Sequence, residues 1–155
     1  MKVIIKPINS FYRNIELRYL KKIIKIEKDN YQTPWSDKQL EESLNIYSKF
    51  SRVIVKNDEV VAYVFIIVTL DEAEILNIAV DKEYQKQSIA TYLLKEVIKE
   101  LKAKNIKKIF LEVRNSNLIA QELYKKLNFI VFGKREKYYS NGEDALLFQL
   151  NIKKL

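Results

Sequence analysis

The sequence predicts an α+β protein with one mixed, mostly antiparallel sheet flanked by helices, in the order β-α-α-β-β-β-α-β-α-β-β. Three observations carry this. Two helical patterns precede an unbroken run of strand patterns. The apolar period then switches to 3.6 at Ala90 and back to alternation at residue 107. A chain of 155 residues without repeats or a Pro/Gly/Ser-rich linker suits one domain over residues 1–155, with a single full core.

Residues 2–7 alternate as a short strand. Leu17, Leu20, Ile23, Ile24 and Ile26 give residues 15–28 a helical spacing. Residues 30–36 hold Pro34 and read as a loop, after which Ser36 caps a short helix, 37–47. Strands 52–55 and 60–69 form a hairpin around the turn 56–59, and 73–80 is a further strand. Ala90, Leu93, Leu94, Val97, Ile98 and Leu101 then define an amphipathic helix. In strand 107–113, Ile109, Leu111 and Val113 share one face, with Phe110 and Glu112 on the other. Asn115 or Ser116 can cap the next helix, 117–127. Strands 129–134 and 144–150 close around the turn 140–143.

Composition narrows the chemistry. There is no Cys and no His, which excludes disulfides, thiol nucleophiles, Cys/His zinc sites and imidazole acid–base schemes. Gly133 and Gly142 are the only glycines, so no Gly-rich nucleotide loop exists. No metal is expected. The net charge of +8 suits anionic partners, or simply a Lys-solvated surface. The longest apolar stretch, residues 62–70, is broken at Thr69 and falls short of the ~20 residues of a membrane span. The N-terminal residues lack the apolar centre and cleavage site of a signal peptide, so a cytoplasmic protein without membrane contact is expected.

Three places offer chemistry. A strand ending at Val80 runs through a loop into the helix that begins near Ala90. A helix N-terminus presents unpaired N–H groups and binds phosphates, and Gln85, Lys86 and Gln87 add donors; most such termini nevertheless bind only water. Glu112 lies on a strand expected to be largely buried, where a carboxylate's pKa rises toward that of a general base. The plainer alternative pairs it with Arg114 or a Lys. Asn117 and Tyr124, seven residues apart, share a helix face, where the tyrosine either packs or offers a phenol to a ligand.

Taken together, the segments LNIAVDKEYQKQSIATYLL and IFLEVRNSNLIAQELYKKLNF resemble the GNAT superfamily of acetyl-CoA-dependent N-acetyltransferases. With YQTPWS, LDEAEILNIAV and REKYY, the likeness is to its RimI type, which acetylates an N-terminal alanine of a small-subunit ribosomal protein, and it covers nearly the whole chain. The resemblance implies that Ile78, Ala79 and Val80 offer backbone groups to the acetyl and pantetheine portions of acetyl-CoA. The family's phosphate loop falls on Gln85, Lys86, Gln87, Ser88, Ile89 and Ala90, continuing into Thr91. Asn117 matches a cofactor-contacting asparagine, Glu112 the general base and Tyr124 the general acid. Trp35, Tyr138 and Tyr139 border the acceptor groove, and Glu72 or Glu74 attracts a cationic N-terminus. Two positions depart from the pattern: Ser88 replaces the loop glycine, and Asn128 replaces a glycine before Phe129.

The implied partners are acetyl-CoA and a protein N-terminus, ribosomal by resemblance, with no direct nucleic-acid contact and a monomer favoured. An α-amino group has a pKa of about 8, so only modest base assistance is required. The alternatives are a GNAT enzyme that acetylates Lys side chains, polyamines or another small amine, a catalytically silent acyl-CoA-binding module, and a basic nucleic-acid-binding protein. The last lacks a stacking platform or basic stripe in this sequence.

Overall fold

The computed structural model describes residues 10–152. Seven strands and four helices follow in the expected order: β1 (Ser10–Asn14), α1 (Leu20–Asn30), α2 (Asp37–Ile46), β2 (Arg52–Lys56), β3 (Glu59–Thr69), β4 (Glu72–Val80), α3 (Ile89–Ala103), β5 (Lys108–Arg114), α4 (Leu118–Lys126), β6 (Ile130–Arg135) and β7 (Ala145–Asn151). The strands form one sheet in the order β1-β2-β3-β4-β5-β7-β6. Strand β4 pairs parallel to β5, across the α3 connection, while β1–β2, β2–β3, β5–β7 and β6–β7 are antiparallel. This is the mixed sheet that the sequence predicts.

The chain divides into two compact units. The first holds the described residues through Ile67 together with Asn77–Val97; its core includes Ile23, Ile26, Leu40, Ile54, Val61, Phe65 and Leu93. The second holds Val68–Leu76 and the residues from Ile98 onward; its core includes Ile109, Leu111, Val113, Phe129 and Phe148.

Local chemistry explains most boundaries. The Ser36 side chain accepts from the Gln39 backbone at 3.1 Å while the Gln39 side chain accepts from Ser36 N at 2.8 Å, a capping box that starts α2. Asn57 and Asp58, at φ 51° and 62°, make the tight β2–β3 turn, where residues tolerant of left-handed geometry are required. Asn128 takes φ 70° after α4, consistent with its standing where the family pattern has glycine.

Two sequence expectations change and a third is not reached. The strand expected at residues 2–7 lies outside the described residues, and the first described strand is Ser10–Asn14. Its alternation is inverted, with polar Ser10 buried and Phe11 exposed, so hydrophobic patterning does not reveal it. The helix expected over 15–28 is instead a 3-10 turn, Leu17–Tyr19, followed by α1. The reason is visible in Leu17, which is exposed and does not belong to the buried stripe of Tyr19, Ile23 and Ile26. The cap of α4 is Asn117, whose Oδ1 accepts from Ala120 N at 3.1 Å, rather than Asn115 or Ser116.

Candidate active site

Strand β5 builds the first part of the site. Its alternation sends Ile109, Leu111 and Val113 into the core and leaves Phe110 and Glu112 on the opposite face. Register sets Glu112 beside Leu147 of β7 and Phe110 beside Glu74 of β4. Phe132 of β6 meets Phe110 edge to face at 5.7 Å between ring centres. With Arg135 these residues line a cleft of about 230 Å³.

Glu112 is less enclosed than the strand pattern suggests. Its side chain is 24% exposed, and its Oε1 meets Arg135 Nε at 3.2 Å. Arg135 is a partner that the sequence reading does not name. Glu74 shares the cleft although the residue is largely open to solvent. Desolvation there, together with the Glu112 charge, raises its carboxyl above the ordinary value, and Arg135 opposes this. Two carboxylates and one guanidinium on an apolar-walled cleft leave one negative charge, which suits a cation such as an ammonium group. Glu72 is exposed on the same strand, opposite Lys108, and does not line the cleft.

Tyr138 and Tyr139, on the β6–β7 loop, stack edge to face at 5.2 Å. Both phenols are raised: Tyr138 chiefly by the Glu112 charge, Tyr139 by burial and then by Glu112. The Arg114 guanidinium sits 3.8 Å from the Tyr139 ring centre and pairs with Glu143 at 3.4 Å. Glu143 also accepts from Ser116 N at 2.7 Å, which fixes this loop to the approach of α4.

Tyr124 packs, as one of its two sequence readings expects. It is 4% exposed, and its ring meets Phe129 at 5.6 Å and Phe148 at 6.0 Å. Burial raises its phenol well above the ordinary tyrosine value. Such a phenol keeps its proton at neutral pH. Asn117 stands exposed at the same helix's start; its cap uses Oδ1 and leaves Nδ2 as the group that can meet a ligand.

In the first unit, β4 has a half-free edge. Asp81 N donates to Val61 O on β3 at 2.8 Å, so by strand alternation Ile78 and Val80 face the other way. Pairing with β5 covers only Glu72, Ala73, Glu74 and Ile75. At Ile78 and Val80 side chains take the place of a strand: the Tyr31 hydroxyl donates to Ile78 O, Asn30 Nδ2 to Val80 O at 3.0 Å and Gln85 Nε2 to Val80 O at 3.1 Å. The N–H groups of Ile78 and Val80 lie on this same edge, suited to an acyl or amide oxygen. Ala79 between them is buried and points its backbone toward β3.

The loop after β4 is pinned by Asp81, a buried carboxylate that holds Lys22 Nζ at 2.7 Å and caps Glu83 N at 3.0 Å. Burial raises its pKa, but the bonds from Lys22 and the Glu83 backbone outweigh this and leave the carboxyl below its ordinary value. Lys86, Gln87 and Ser88 are exposed. Ser88 O accepts the first α3 bond, from Tyr92 N at 3.0 Å, so the N–H groups of Ile89, Ala90 and Thr91 have no partner within the helix. These amides and the exposed Lys86 make a turn with the chemistry to meet an anion. Lys86 and Ser88 adopt φ 62° and 61°, the left-handed region where glycine is favoured. The Gln85 side chain is not a free donor: it also bonds Asn30 Oδ1 at 2.8 Å and ties the loop to α1.

Trp35 lies half-buried between α1 and α2, with its ring centre 5.8 Å from that of Phe65. Its backbone N donates to Glu27 Oε1 at 2.9 Å. Sequence reasoning missed Glu27, Asn77, Tyr31 and the part played by Arg135. Glu27 left a signal, since it follows Ile23 by four residues and falls on the buried stripe of α1. Arg135 left none, because its partner is 23 positions away and two strand pairings across the sheet. Among the described residues no cluster of acidic side chains is arranged to hold a metal ion.

Comparison with known proteins gives a consistent picture. Residues 20–129 match the model of the acetyltransferase (GNAT) family. The [ribosomal protein bS18]-alanine N-acetyltransferase of Escherichia coli strain K12 is 36% identical over 131 residues, covering 82% of this chain and 87% of that protein. The enzyme of the same name from Haemophilus ducreyi is 35% identical over 136 residues, covering 84% and 92%. The crystal structure of the ribosomal-protein-S18-alanine N-acetyltransferase from E. coli superposes with a TM-score of 0.87 at 32% identity, covering 94% of this chain and 96% of that one. Ard1 from Thermoplasma volcanium shares the fold, with a TM-score of 0.90 at 19% identity over 95% of this chain and 100% of its own. The mixed sheet, the half-free β4 edge and the family match over most of the chain lead to one assignment: this chain belongs to the GNAT acetyltransferase family.

Proposed function

We propose that this GNAT enzyme transfers the acetyl group of acetyl-CoA to the α-amine of a protein N-terminus, and that its acceptor is the N-terminal alanine of ribosomal protein bS18. Identity of 36% with the bS18-alanine enzyme of E. coli, over 82% of the chain, carries this reading. The acidic cleft at Glu112 and Glu74 supplies matching chemistry.

The residues present fit coenzyme A. The free N–H groups of Ile78 and Val80 suit the pantetheine and thioester oxygens. The amides of Ile89, Ala90 and Thr91, with Lys86 beside them, suit the pyrophosphate. Asn117 Nδ2 offers a further donor. Gln85 contributes by holding the loop to Val80 rather than by binding phosphate.

In the reaction, Glu74 and Glu112 attract the ammonium form of the acceptor. Glu112 removes one proton, directly or through water, and the neutral amine attacks the thioester carbon. Attack forms the C–N bond and an oxyanion that backbone N–H groups on the β4 edge stabilise; the nitrogen gives its second proton to water, and collapse of the oxyanion breaks the C–S bond and releases the thiolate. The Tyr124 hydroxyl donates to the departing sulfur. A thiol has a pKa of about 8.5, below that of this phenol, so the donation is a hydrogen bond to the thiolate more than a full proton transfer. By resemblance, Trp35 borders the acceptor's first side chain and favours a small one.

Two peptides of one sequence test the acceptor. One has a free N-terminal alanine; the other is N-terminally blocked and carries an internal Lys. Acetylation confined to the free terminus is the expected result. Equal rates on the blocked peptide's Lys overturn the α-amine assignment, and turnover of polyamines alone overturns the protein acceptor.

A further inference from the structure

Glu27 is a charged side chain that the proposed reaction does not use. It sits on the buried face of α1, 1% exposed. Oε1 accepts from Trp35 N at 2.9 Å, while Oε2 accepts from Asn77 Nδ2 at 2.8 Å and from the Tyr63 hydroxyl. One carboxylate therefore joins the loop before α2 to β3 and β4. A buried carboxylate costs several kcal/mol of desolvation unless donors replace its water. Ile23 and Ile26 show that an apolar side chain suits this face, so packing alone does not account for an acid here. What the acid adds is geometry, because three charge-assisted bonds fix where three elements meet.

Trp35 is the half-buried end of this arrangement. Its ring rests against Phe65, whose own ring is 5.6 Å from Tyr63, so both the backbone and the indole are referenced to the same node. We propose that Glu27 is a positioning residue for acceptor selection: it holds Trp35 at the depth that limits the acceptor's first side chain. This rests on the reading of Trp35 as a border of the acceptor groove.

The test uses Glu27→Ala, which removes the anchor, and Glu27→Gln, which keeps an acceptor for Trp35 N. Acceptor peptides differing only in an Ala or Leu first residue are compared. Selectivity among small apolar side chains is set by pocket dimensions and spans roughly 10- to 200-fold in well-formed sites. In Glu27→Ala the Ala-over-Leu preference should fall at least about fivefold and the acceptor KM should rise about tenfold, with kcat and the acetyl-CoA KM within about threefold. Glu27→Gln should recover most of the preference. A folded Glu27→Ala with unchanged preference overturns the proposal, as does a loss of kcat with the acceptor KM unmoved. Trp35 is the only tryptophan, so its fluorescence reports the loop without any turnover. Acrylamide quenching should rise in Glu27→Ala and stay near wild type in Glu27→Gln; unchanged quenching in the alanine variant also overturns the proposal. If Glu27→Ala does not fold, Tyr63→Phe removes one donor, keeps the ring and should shift preference and quenching in the same direction. A wild-type enzyme inactive on both peptides counts against the acceptor reading, while the quenching result still decides the role of Glu27.

Discussion

The two compact units carry their key carboxylates in opposite ways. In the first, Glu27 and Asp81 are buried, bound by several donors and committed to holding backbone in place. In the second, Glu112 is open to a cleft, paired with Arg135, hydrogen-bonded to Tyr138 and placed near a second acid. A buried carboxylate ringed by donors is shut off from an incoming amine, whereas one open to a cleft can take its proton. Substitutions in the second unit should therefore change rate and spare stability. Substitutions in the first should change stability, binding or selection and spare the chemical step.

Glu112→Gln gives the largest expected effect. It keeps the side chain's shape and removes the base, so kcat/KM should fall on the order of 10²-fold or more. The loss should shrink as pH rises toward 9, because the α-amine, with a pKa of about 8, increasingly arrives neutral. The melting temperature should hardly move, since the Arg135 pair is partly exposed and such pairs contribute only about 0–1 kcal/mol. A pH-independent loss would assign Glu112 to positioning and break the contrast with Glu27. Stopped assays across pH 6–9 with a free-terminus peptide decide it.

Tyr124→Phe comes next. The ring contacts with Phe129 and Phe148 survive, so folding should be retained. A hydrogen bond to a developing thiolate is worth about 1.5–3 kcal/mol, or roughly tenfold or more in rate. The phenol is raised above its ordinary value and stays protonated through pH 9, so this deficit should be flat with pH, unlike that of Glu112→Gln. Full activity in the variant would reduce Tyr124 to packing.

How the sequence announces these groups follows from the same contrast. Strand alternation finds the face of Glu112, and helical spacing finds the face of Tyr124, because both periods are local. The cleft partner Arg135 depends on β6 pairing with β7 and β7 with β5, a long-range register that no local pattern contains. The same holds for Glu27, whose partners Tyr63 and Asn77 lie 36 and 50 positions away. Strand β1 was hidden for a different reason, its inverted burial.

Asp81→Asn probes the first unit. Losing the charge on this buried group weakens its bonds to Lys22 and to Glu83 N, and should cost about 1–3 kcal/mol of stability at pH 7. Its folded pKa is lowered, so the stabilisation is complete above the unfolded value of about 3.9 and fades as pH falls through the folded value. Wild type should therefore lose its advantage over the variant below about pH 4. Denaturant unfolding at pH 7, 5 and 3 gives the comparison, and kcat should stay within about threefold of wild type with saturating substrates. An equal deficit at pH 3 would show that Asp81 acts through shape rather than charge.

Ser88→Gly should have the smallest effect and tests whether the first unit carries strain where it meets the donor. Ser88 has φ 61°, a region that costs a residue bearing a Cβ roughly 1–2 kcal/mol. Glycine removes that cost, but it loses about 0.4–1 kcal/mol more through the freedom of the unfolded chain. The balance favours the variant by up to about 1 kcal/mol, and for a chain of this size that is a rise in melting temperature of roughly 2–4 °C at most. The backbone amides that follow Ser88 are already set by the start of α3, so coenzyme A affinity measured by calorimetry should be unchanged or tighter. A lower melting temperature would mean that the left-handed geometry is not a strain for serine here. Intact stability with clearly weaker coenzyme A binding would give the Ser88 hydroxyl a phosphate contact of its own, and the departure from glycine would then be a feature of recognition.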